Sequence, residues 1–274
     1  TSMNGGIPNP IKEYSHRFTY NNLYELENLL KKYEGDTACI IMEATNIVAP
    51  SKGYLKSVRQ LADKYNTLLI FDEIVTGFRF DRGGYQTVCG VTPDLATFSK
   101  AIANGMPISA LVGKSEYMKK CPDILFTMTF AGEALSLSAA KATMEILDKE
   151  NVIDTIDKNG LILMDSIENL ISNFDLNKII SINGYPQRNV IEFMDYGENT
   201  GADLRTYWIQ ELTKKKVLTL GYHMPSYSHG KNEIDYLLQT YSDLLNDIQK
   251  TINDGNLVDK LQCPSSKAFS IRES

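Results

Sequence analysis

The sequence contains few of the residues that build metal centres or disulfide frameworks. It has three histidines and four cysteines in 274 residues, and the cysteines are far apart, without a C-x-x-C pair. They are Cys39, Cys89, Cys121 and Cys263. Thiols in this arrangement are typical of a reduced protein rather than of a zinc site or a disulfide scaffold. We therefore predict a cytoplasmic protein without a bound metal.

Long apolar runs and an excess of positive charge are also missing. No run approaches the roughly 20 apolar residues that a membrane-spanning helix requires, and the start shows no signal-peptide pattern. The formal net charge of -6 disfavours nucleic acid as the main partner. What the chain has is 43% hydrophobic and 23% charged residues. This balance is typical of a globular protein with a sizeable core, and we expect neither a membrane nor a nucleic-acid partner.

Strand-like and helix-like segments alternate over the first half of the chain. TACIIME (37–43), TLLIFD (67–72), DLATFS (94–99) and ISALVG (108–113) have the composition of buried strands. Residues 54–65 have the apolar spacing of an amphipathic helix. Nearly continuous apolar strands separated by helices predict an α/β domain with a mostly parallel sheet covered on both faces.

The pattern changes near residue 133. Two long helical stretches are followed by short strands and two further helices, at 133–149, 152–172, 179–183, 189–194, 201–214 and 233–250. Mixed short strands and helices are typical of an α+β domain. We therefore predict a partial large domain over residues 1–150 and a small C-terminal domain over residues 151–274.

Two charged residues follow neighbouring predicted strands. Asp72 comes directly after LLIF, and Lys100 comes directly after LATFS. Ligands of open parallel sheets bind beyond the carboxyl ends of the strands. An ion pair at the rim, a nucleotide site and a pyridoxal phosphate (PLP) site are the three hypotheses. ALVGKS (110–115) imitates a phosphate-binding loop, but Ile108 occupies the place of its first glycine, which disfavours a nucleotide.

A PLP enzyme requires the two charges that this pair supplies. A lysine amine forms a Schiff base with the cofactor aldehyde and needs a partly desolvated site to be nucleophilic. A carboxylate faces the pyridine nitrogen and keeps it protonated, so that the ring accepts electrons. A structural ion pair between Asp72 and Lys100 remains the alternative interpretation of the same two residues.

Three segments in order carry a resemblance to a known family. LLIFDEIVTGFR (68–79), FSKAIANGMPISALVG (98–113) and TMTFAGEALSLSAA (127–140) resemble successive signatures of the class III (ω-type) PLP-dependent aminotransferases. The likeness is strongest to glutamate-1-semialdehyde 2,1-aminomutase-like proteins and covers most of residues 37–250. It implies PLP-dependent transferase fold type I (aspartate-aminotransferase-like), a homodimer with shared active sites, and a small-molecule amino donor and carbonyl acceptor.

The resemblance also implies roles for individual residues. Asp72 would pair with the pyridinium nitrogen, and Ile74 would pack against one face of the ring. Lys100 would form the Schiff base and move the proton between the substrate and the cofactor. Thr129 resembles a threonine that binds the cofactor phosphate, typically of the neighbouring subunit. Glu73 is expected to support the site through a salt bridge rather than to touch the substrate.

The sequence also departs from the family pattern. Family members have an N-terminal part with a Gly-Ser-rich phosphate-binding turn and a ring-stacking aromatic residue. Neither is found here, so the chain resembles the C-terminal part of such an enzyme. The turn KAIANGMP (100–107) differs from the glycine triplet of the aminomutase. The predicted function is PLP-dependent transamination, and the alternatives are the aminomutase reaction and a truncated non-catalytic homologue.

Overall fold

The computed structural model describes residues 6–124 and 129–265, which form two compact units. The first unit ends at Glu150 and the second begins at Asn151. Each unit contains its own sheet, of four strands in the first unit and three in the second among the described residues.

The first unit alternates strands with helices, several of which are only one turn long. In chain order its elements are α1 (Asn9–Lys12), α2 (Leu23–Lys32), β1 (Cys39–Met42), α3 (Tyr54–Lys64), β2 (Leu68–Asp72), α4 (Tyr85–Cys89), β3 (Leu95–Phe98), a 3-10 turn (Lys100–Ile102), β4 (Ala110–Gly113), α5 (Ser115–Met118), a second 3-10 turn (Cys121–Asp123) and α6 (Ala134–Lys149). The predicted strands and the predicted helix at 54–65 are all present, with ends that differ by one or two residues.

The sheet of the first unit has the order β1-β2-β3-β4. Strands β1, β2 and β3 run parallel, whereas β4 runs antiparallel to β3. The prediction of an α/β fold with a mostly parallel sheet is thus confirmed. The direction of β4 has a simple cause: only residues 99–109 connect it to β3, and a parallel crossover usually needs a dozen or more residues with a full helix.

The apolar cover of this sheet is uneven, unlike the two covered faces that the sequence predicts. Leu69 and Phe71 in the central strand β2 are fully buried. By contrast, Ile41 in β1 is 61% exposed, and Leu111 and Val112 in β4 are 40% and 45% exposed. Within the described residues, the central strands are therefore packed and the two outer strands are open.

A buried aspartate anchors the end of the sheet at which β2 and β3 begin. Asp94 accepts hydrogen bonds from the Leu69 amide at 2.7 Å, from Arg59 at 2.7 Å and from Lys114 at 2.6 Å. Burial alone would raise the pKa of Asp94, but these hydrogen bonds and charges outweigh it and lower the pKa. The cluster joins α3 to the sheet, on the edge opposite to the carboxyl ends of the parallel strands.

The second unit is an α+β arrangement. Its elements are α7 (Val152–Asn173), β5 (Ile180–Tyr185), β6 (Arg188–Phe193), α8 (Gly201–Lys214), β7 (Tyr222–His223), α9 (Lys231–Asn253) and a 3-10 turn (Val258–Lys260). The strands form an antiparallel sheet in the order β5-β6-β7. In neither described range is any helix both long enough and apolar enough to cross a bilayer.

The core of the second unit is built around aromatic residues. Trp208 and Tyr241 are fully buried, and their ring centroids are 4.7 Å apart. His223 lies beside them in β7, where its two ring nitrogens are 2.7 Å from Asn189 Oδ1 and from the Tyr241 hydroxyl. This histidine is therefore part of the core of the second unit.

Candidate active site

The parallel pairing of β2 and β3 brings two of the predicted site residues to one edge of the sheet. Asp72 is the last residue of β2 and pairs in register with Thr97 of β3. Lys100 follows Phe98, the last residue of β3, by two positions. Because parallel strands end on the same side, the carboxylate and the amine both lie beyond the carboxyl ends of neighbouring central strands.

The Asp72 carboxylate is half-buried and only partly engaged. Its Oδ1 accepts a hydrogen bond from the Ile74 amide at 3.0 Å, which fixes the chain immediately after the strand. In the described part of the chain, no hydrogen bond or ion pair engages Oδ2. Ile74 itself is half-buried, so an apolar side chain follows the acid at this edge. An acid with one uncommitted oxygen suits a protonated ring nitrogen as its partner.

The backbone at Lys100 is unusual. Its φ of 45° lies in the left-handed region, which non-glycine residues adopt uncommonly and at an energetic cost of about 1–3 kcal/mol. The turn that Lys100 opens is anchored by Ile102 and Ala103, which pack with Phe98 in a buried cluster. Backbone conformations of this kind occur preferentially at functional sites.

The environment of Lys100 differs from the partly desolvated one that the sequence suggested. Its side chain is exposed among the described residues. Nearby, the Ser99 hydroxyl donates to the Ile108 carbonyl at 2.8 Å and closes the loop between β3 and β4. The loop therefore fixes the backbone of the lysine and leaves its amine accessible.

Thr129 is the fourth predicted site residue, and it comes from a different segment of the chain from the other three. It is exposed and belongs to a turn that precedes α6. Within the described residues, no recorded hydrogen bond or salt bridge joins it to Asp72, Ile74 or Lys100. Residues 125–128, which belong to the same predicted motif, lie outside the described residues.

Glu73 is held by hydrogen bonds from neutral donors rather than by the salt bridge that the sequence predicts. It is fully buried and accepts hydrogen bonds from the Thr76 hydroxyl and from the amides of Tyr85 and Gln86, each amide at 2.8 Å. Burial raises the pKa of Glu73, and these hydrogen bonds offset part of the rise. The glycines at positions 83 and 84, directly before Tyr85, are the sequence feature that could have indicated this close approach.

The residue types at this edge fit a PLP site, although Lys100 is exposed rather than partly desolvated. They combine a lysine amine, a carboxylate with an uncommitted oxygen and an apolar side chain, on two adjacent strands that a buried core holds in register. Within the described residues, Asp72 and Lys100 form no salt bridge with each other. Both side chains therefore remain open to a ligand.

Comparisons with known proteins all indicate one enzyme family. The sequence profile of the family described as aminotransferase class-III matches residues 7–245. The 3-aminobutyryl-CoA aminotransferase of Cloacimonas acidaminovorans (strain Evry) is 34% identical over 259 residues, which is 91% of this chain and 62% of that protein. The glutamate-1-semialdehyde 2,1-aminomutase of Natranaerobius thermophilus is 37% identical over 162 residues, which is 57% of this chain and 38% of that protein.

A solved structure extends the comparison to the fold. The PLP internal aldimine form of the Sphingopyxis sp. MTA144 FumI protein superposes with a TM-score of 0.79 at 24% identity. The match covers 90% of this chain and 59% of the other. The chain thus spans about six tenths of the length of these two proteins.

Proposed function

The chain belongs to the class III aminotransferases, and from this premise we propose that it carries the lysine and aspartate of a PLP-dependent transamination site. The observation that carries the proposal is the placement of Asp72 and Lys100 at the ends of adjacent parallel strands. Residues 1–150 then form the cofactor-binding part of a large domain, and residues 151–274 form a small domain.

Each residue has a distinct task in this site. When bound, PLP supplies an electron-accepting ring. Asp72 would hold a proton on the pyridine nitrogen through its uncommitted oxygen, and Ile74 would cover one ring face and exclude water from it. Lys100 would hold the cofactor through its amine and, once released, would take and return a proton at the substrate carbon. Thr129 would donate its hydroxyl to the cofactor phosphate of a second subunit.

The substrates and the assembly are part of the same proposal. A small-molecule amino donor gives its amino group, and an aldehyde or ketone receives it. The exposure of Thr129 supports a homodimer in which each subunit completes the other's site. The net charge of -6 accords with an enzyme that handles small molecules rather than nucleic acid, and the widely spaced cysteines support a cytoplasmic location.

A second candidate function follows from the named relatives. The similarity to an aminomutase supports an intramolecular amino transfer by the same residues. Supplying a carbonyl acceptor with a separate amino donor distinguishes the two reactions, since only the transaminase forms a new amine at the expense of the donor. A non-catalytic homologue is the third candidate, and it predicts that the chain does not retain PLP.

Cofactor attachment tests the proposal directly. The purified chain is incubated with PLP, reduced with borohydride and digested, and the peptide that contains Lys100 is weighed by mass spectrometry. We expect the added cofactor mass on this peptide, its loss in Lys100→Arg, and its retention in Lys114→Arg, where the exchanged lysine pairs with Asp94. An unmodified Lys100 in a folded, PLP-saturated chain would falsify the assignment.

A further inference from the structure

Glu73, the acid next to Asp72, is buried, and within the described residues its hydrogen-bond donors are neutral groups. Glu73 is fully buried, and its carboxylate is engaged by three donors. Oε2 accepts from the Thr76 hydroxyl and the Tyr85 amide, and Oε1 accepts from the Gln86 amide. Both oxygens are thus engaged by groups of the chain itself, and because the side chain is fully buried, Glu73 has no direct access to a ligand.

The backbone of Glu73 is held as firmly as its side chain. Its amide donates to the Thr97 carbonyl of β3 at 2.9 Å, and its carbonyl accepts from the Gly77 amide at 2.8 Å. One residue therefore connects the neighbouring strand, the turn that follows β2 and the first residues of α4.

Two glycines make this arrangement possible. A Cβ at Gly84 would lie 2.5 Å from the Glu73 carboxyl group, and the φ of Gly84 is +83°. A Cβ at Gly77 would lie 2.4 Å from the Phe98 ring and 2.8 Å from the Glu73 carbonyl oxygen. Since real Cβ atoms do not approach other atoms so closely, the chain packs around Glu73 only with glycine at both positions.

The position of Glu73 in sequence gives these contacts a consequence for the site. Successive residues at a strand end point to opposite sides, and Glu73 lies between the acid and the apolar residue assigned to the ring. The hydrogen bond from the Ile74 amide to Asp72 spans Glu73. Any displacement of Glu73 therefore changes the angle at which Asp72 and Ile74 leave the strand.

We propose that Glu73 is a positioning residue for the cofactor ring: by binding the Thr76 hydroxyl and the amides of Tyr85 and Gln86, it fixes the orientation of Asp72 and Ile74. This role rests on the proposed function. The hydrogen-bonded arrangement itself, which we call the Glu73 clamp, exists without cofactor. Its members are the Glu73 carboxylate and these three donors.

Glu73→Gln is the sharpest variant because it preserves size and removes acceptor capacity. One oxygen becomes an amide nitrogen, which then faces a donor of the clamp, so that at least one donor is left unsatisfied. Thr76→Val is the second variant, since it removes one donor and keeps the carboxylate. Asp81→Asn is the matched control: it makes the same acid-to-amide change in the same loop, where the Asp81 carboxylate accepts from Gly83 and the asparagine oxygen does so equally well.

Amide hydrogen exchange on the chain without cofactor is the first measurement. In Glu73→Gln we expect exchange at Tyr85, Gln86 and Ile74 to become about tenfold faster or more, with a smaller rise in Thr76→Val and none in Asp81→Asn. Unchanged exchange at Tyr85 and Gln86 would overturn the clamp. Faster exchange at these two amides with unchanged exchange at Ile74 would overturn its positioning role.

The rate at which borohydride-reducible PLP accumulates on Lys100 is the second measurement. We expect this rate to fall about tenfold in Glu73→Gln and to stay at the wild-type value in Asp81→Asn. If Glu73→Gln labels at the wild-type rate, Glu73 does not position the ring. If the wild-type chain takes up no PLP at all, the proposed function fails instead, and the Ile74 exchange still decides whether Glu73 orients this edge.

Discussion

Helix α4 of the first unit and helix α8 of the second begin in different ways. The first amides of α4 donate to Glu73, which precedes them by 12 and 13 residues. Helix α8 is capped within four residues: Thr200 accepts from the Asp203 amide at 3.2 Å, and Asp203 accepts from the Thr200 amide at 2.9 Å. A local cap stabilises its own helix, whereas a remote cap makes a helix and a strand end depend on each other.

The difference matters because of what lies beside each cap. Glu73 follows Asp72 directly, so its hydrogen bonds join the start of α4 to the candidate site. Thr200 and Asp203 lie in a different unit, and the Asp203 carboxylate is engaged by Thr200 and by the Ser265 hydroxyl. Substitutions near the remote cap should therefore alter cofactor chemistry, and substitutions in the second unit should alter stability.

The largest expected effect is that of Asp72→Asn on turnover. The asparagine oxygen still accepts from Ile74, so the fold is kept, but a neutral amide no longer favours a proton on the ring nitrogen. We expect transamination to slow by about a hundredfold or more, and the free energy of unfolding to change by less than about 0.5 kcal/mol. The measurement is the rate of the amino-donor half-reaction at equal PLP load, with urea unfolding of the same samples.

Asp81→Asn serves as the control for Asp72→Asn as well. Near-normal turnover of Asp72→Asn at full cofactor load would contradict the role given to Asp72. A large loss of stability in that variant would instead show that the acid supports the fold.

The second effect is that of Trp208→Ala on the stability of the second unit. Trp208 is fully buried and packs between Phe193 and Tyr241, with ring centroids 5.6 Å and 4.7 Å away. Truncating such a side chain leaves a cavity, and we expect a loss of about 3–5 kcal/mol in the free energy of unfolding. Urea denaturation followed by circular dichroism measures it.

Trp208→Phe is the matched control for this core. The indole nitrogen of Trp208 has no hydrogen-bond partner among the described residues, so phenylalanine gives up volume but no bond. We expect it to lose clearly less stability than alanine. Equal losses for the two variants would mean that packing volume does not govern this core.

Sequence patterns predicted the regular parts of both units well. The apolar runs located β2 and β3, and the rule that parallel strands end on one side then brought Asp72 and Lys100 to a common edge. These predictions succeed because they depend on periodicity within a few residues. The Thr200–Asp203 cap is readable for the same reason, since its signature occupies four consecutive positions.

Features that depend on distant contacts could not be predicted. The salt bridge expected for Glu73 is replaced by the Thr76 hydroxyl and by two amides that lie 12 and 13 residues further along the chain. The burial of His223 is a second example, because its partners, Asn189 and Tyr241, are 34 and 18 residues away in the sequence. A residue that is buried by partners distant in the sequence has no periodic pattern around it from which its burial could be predicted.

The third effect is the pH dependence of stability that His223 should cause. Burial lowers the pKa of His223 to about 4 from 6.5, so the unfolded chain binds a proton that the folded chain rejects between these values. Stability is therefore fully present above pH 6.5 and is lost as the pH falls toward 4. Each pKa unit corresponds to about 1.4 kcal/mol, which predicts a loss of about 3 kcal/mol.

Unfolding free energies of wild type and His223→Gln from pH 7 to pH 4 measure this contribution. The variant should lack the part of the slope due to His223, whereas His229→Gln, which changes an exposed histidine, should keep it. If the free energy of unfolding depended on pH in the same way in wild type and His223→Gln, the buried ring would accept a proton without loss of stability.

The smallest effect, that of Thr200→Ala, completes the comparison of the two helix starts. The alanine removes the oxygen that accepts from the Asp203 amide, and losses of such caps amount to about 1 kcal/mol. Because this cap is local and lies in the second unit, PLP attachment to Lys100 should keep its wild-type rate. Thr200→Ser, which restores the hydroxyl, should recover most of the stability. Thr200→Ala could instead slow PLP attachment to Lys100 as much as Glu73→Gln is expected to do. The slowing in both variants would then reflect general destabilisation, and the proposed effect of the Glu73 cap on the site would be contradicted.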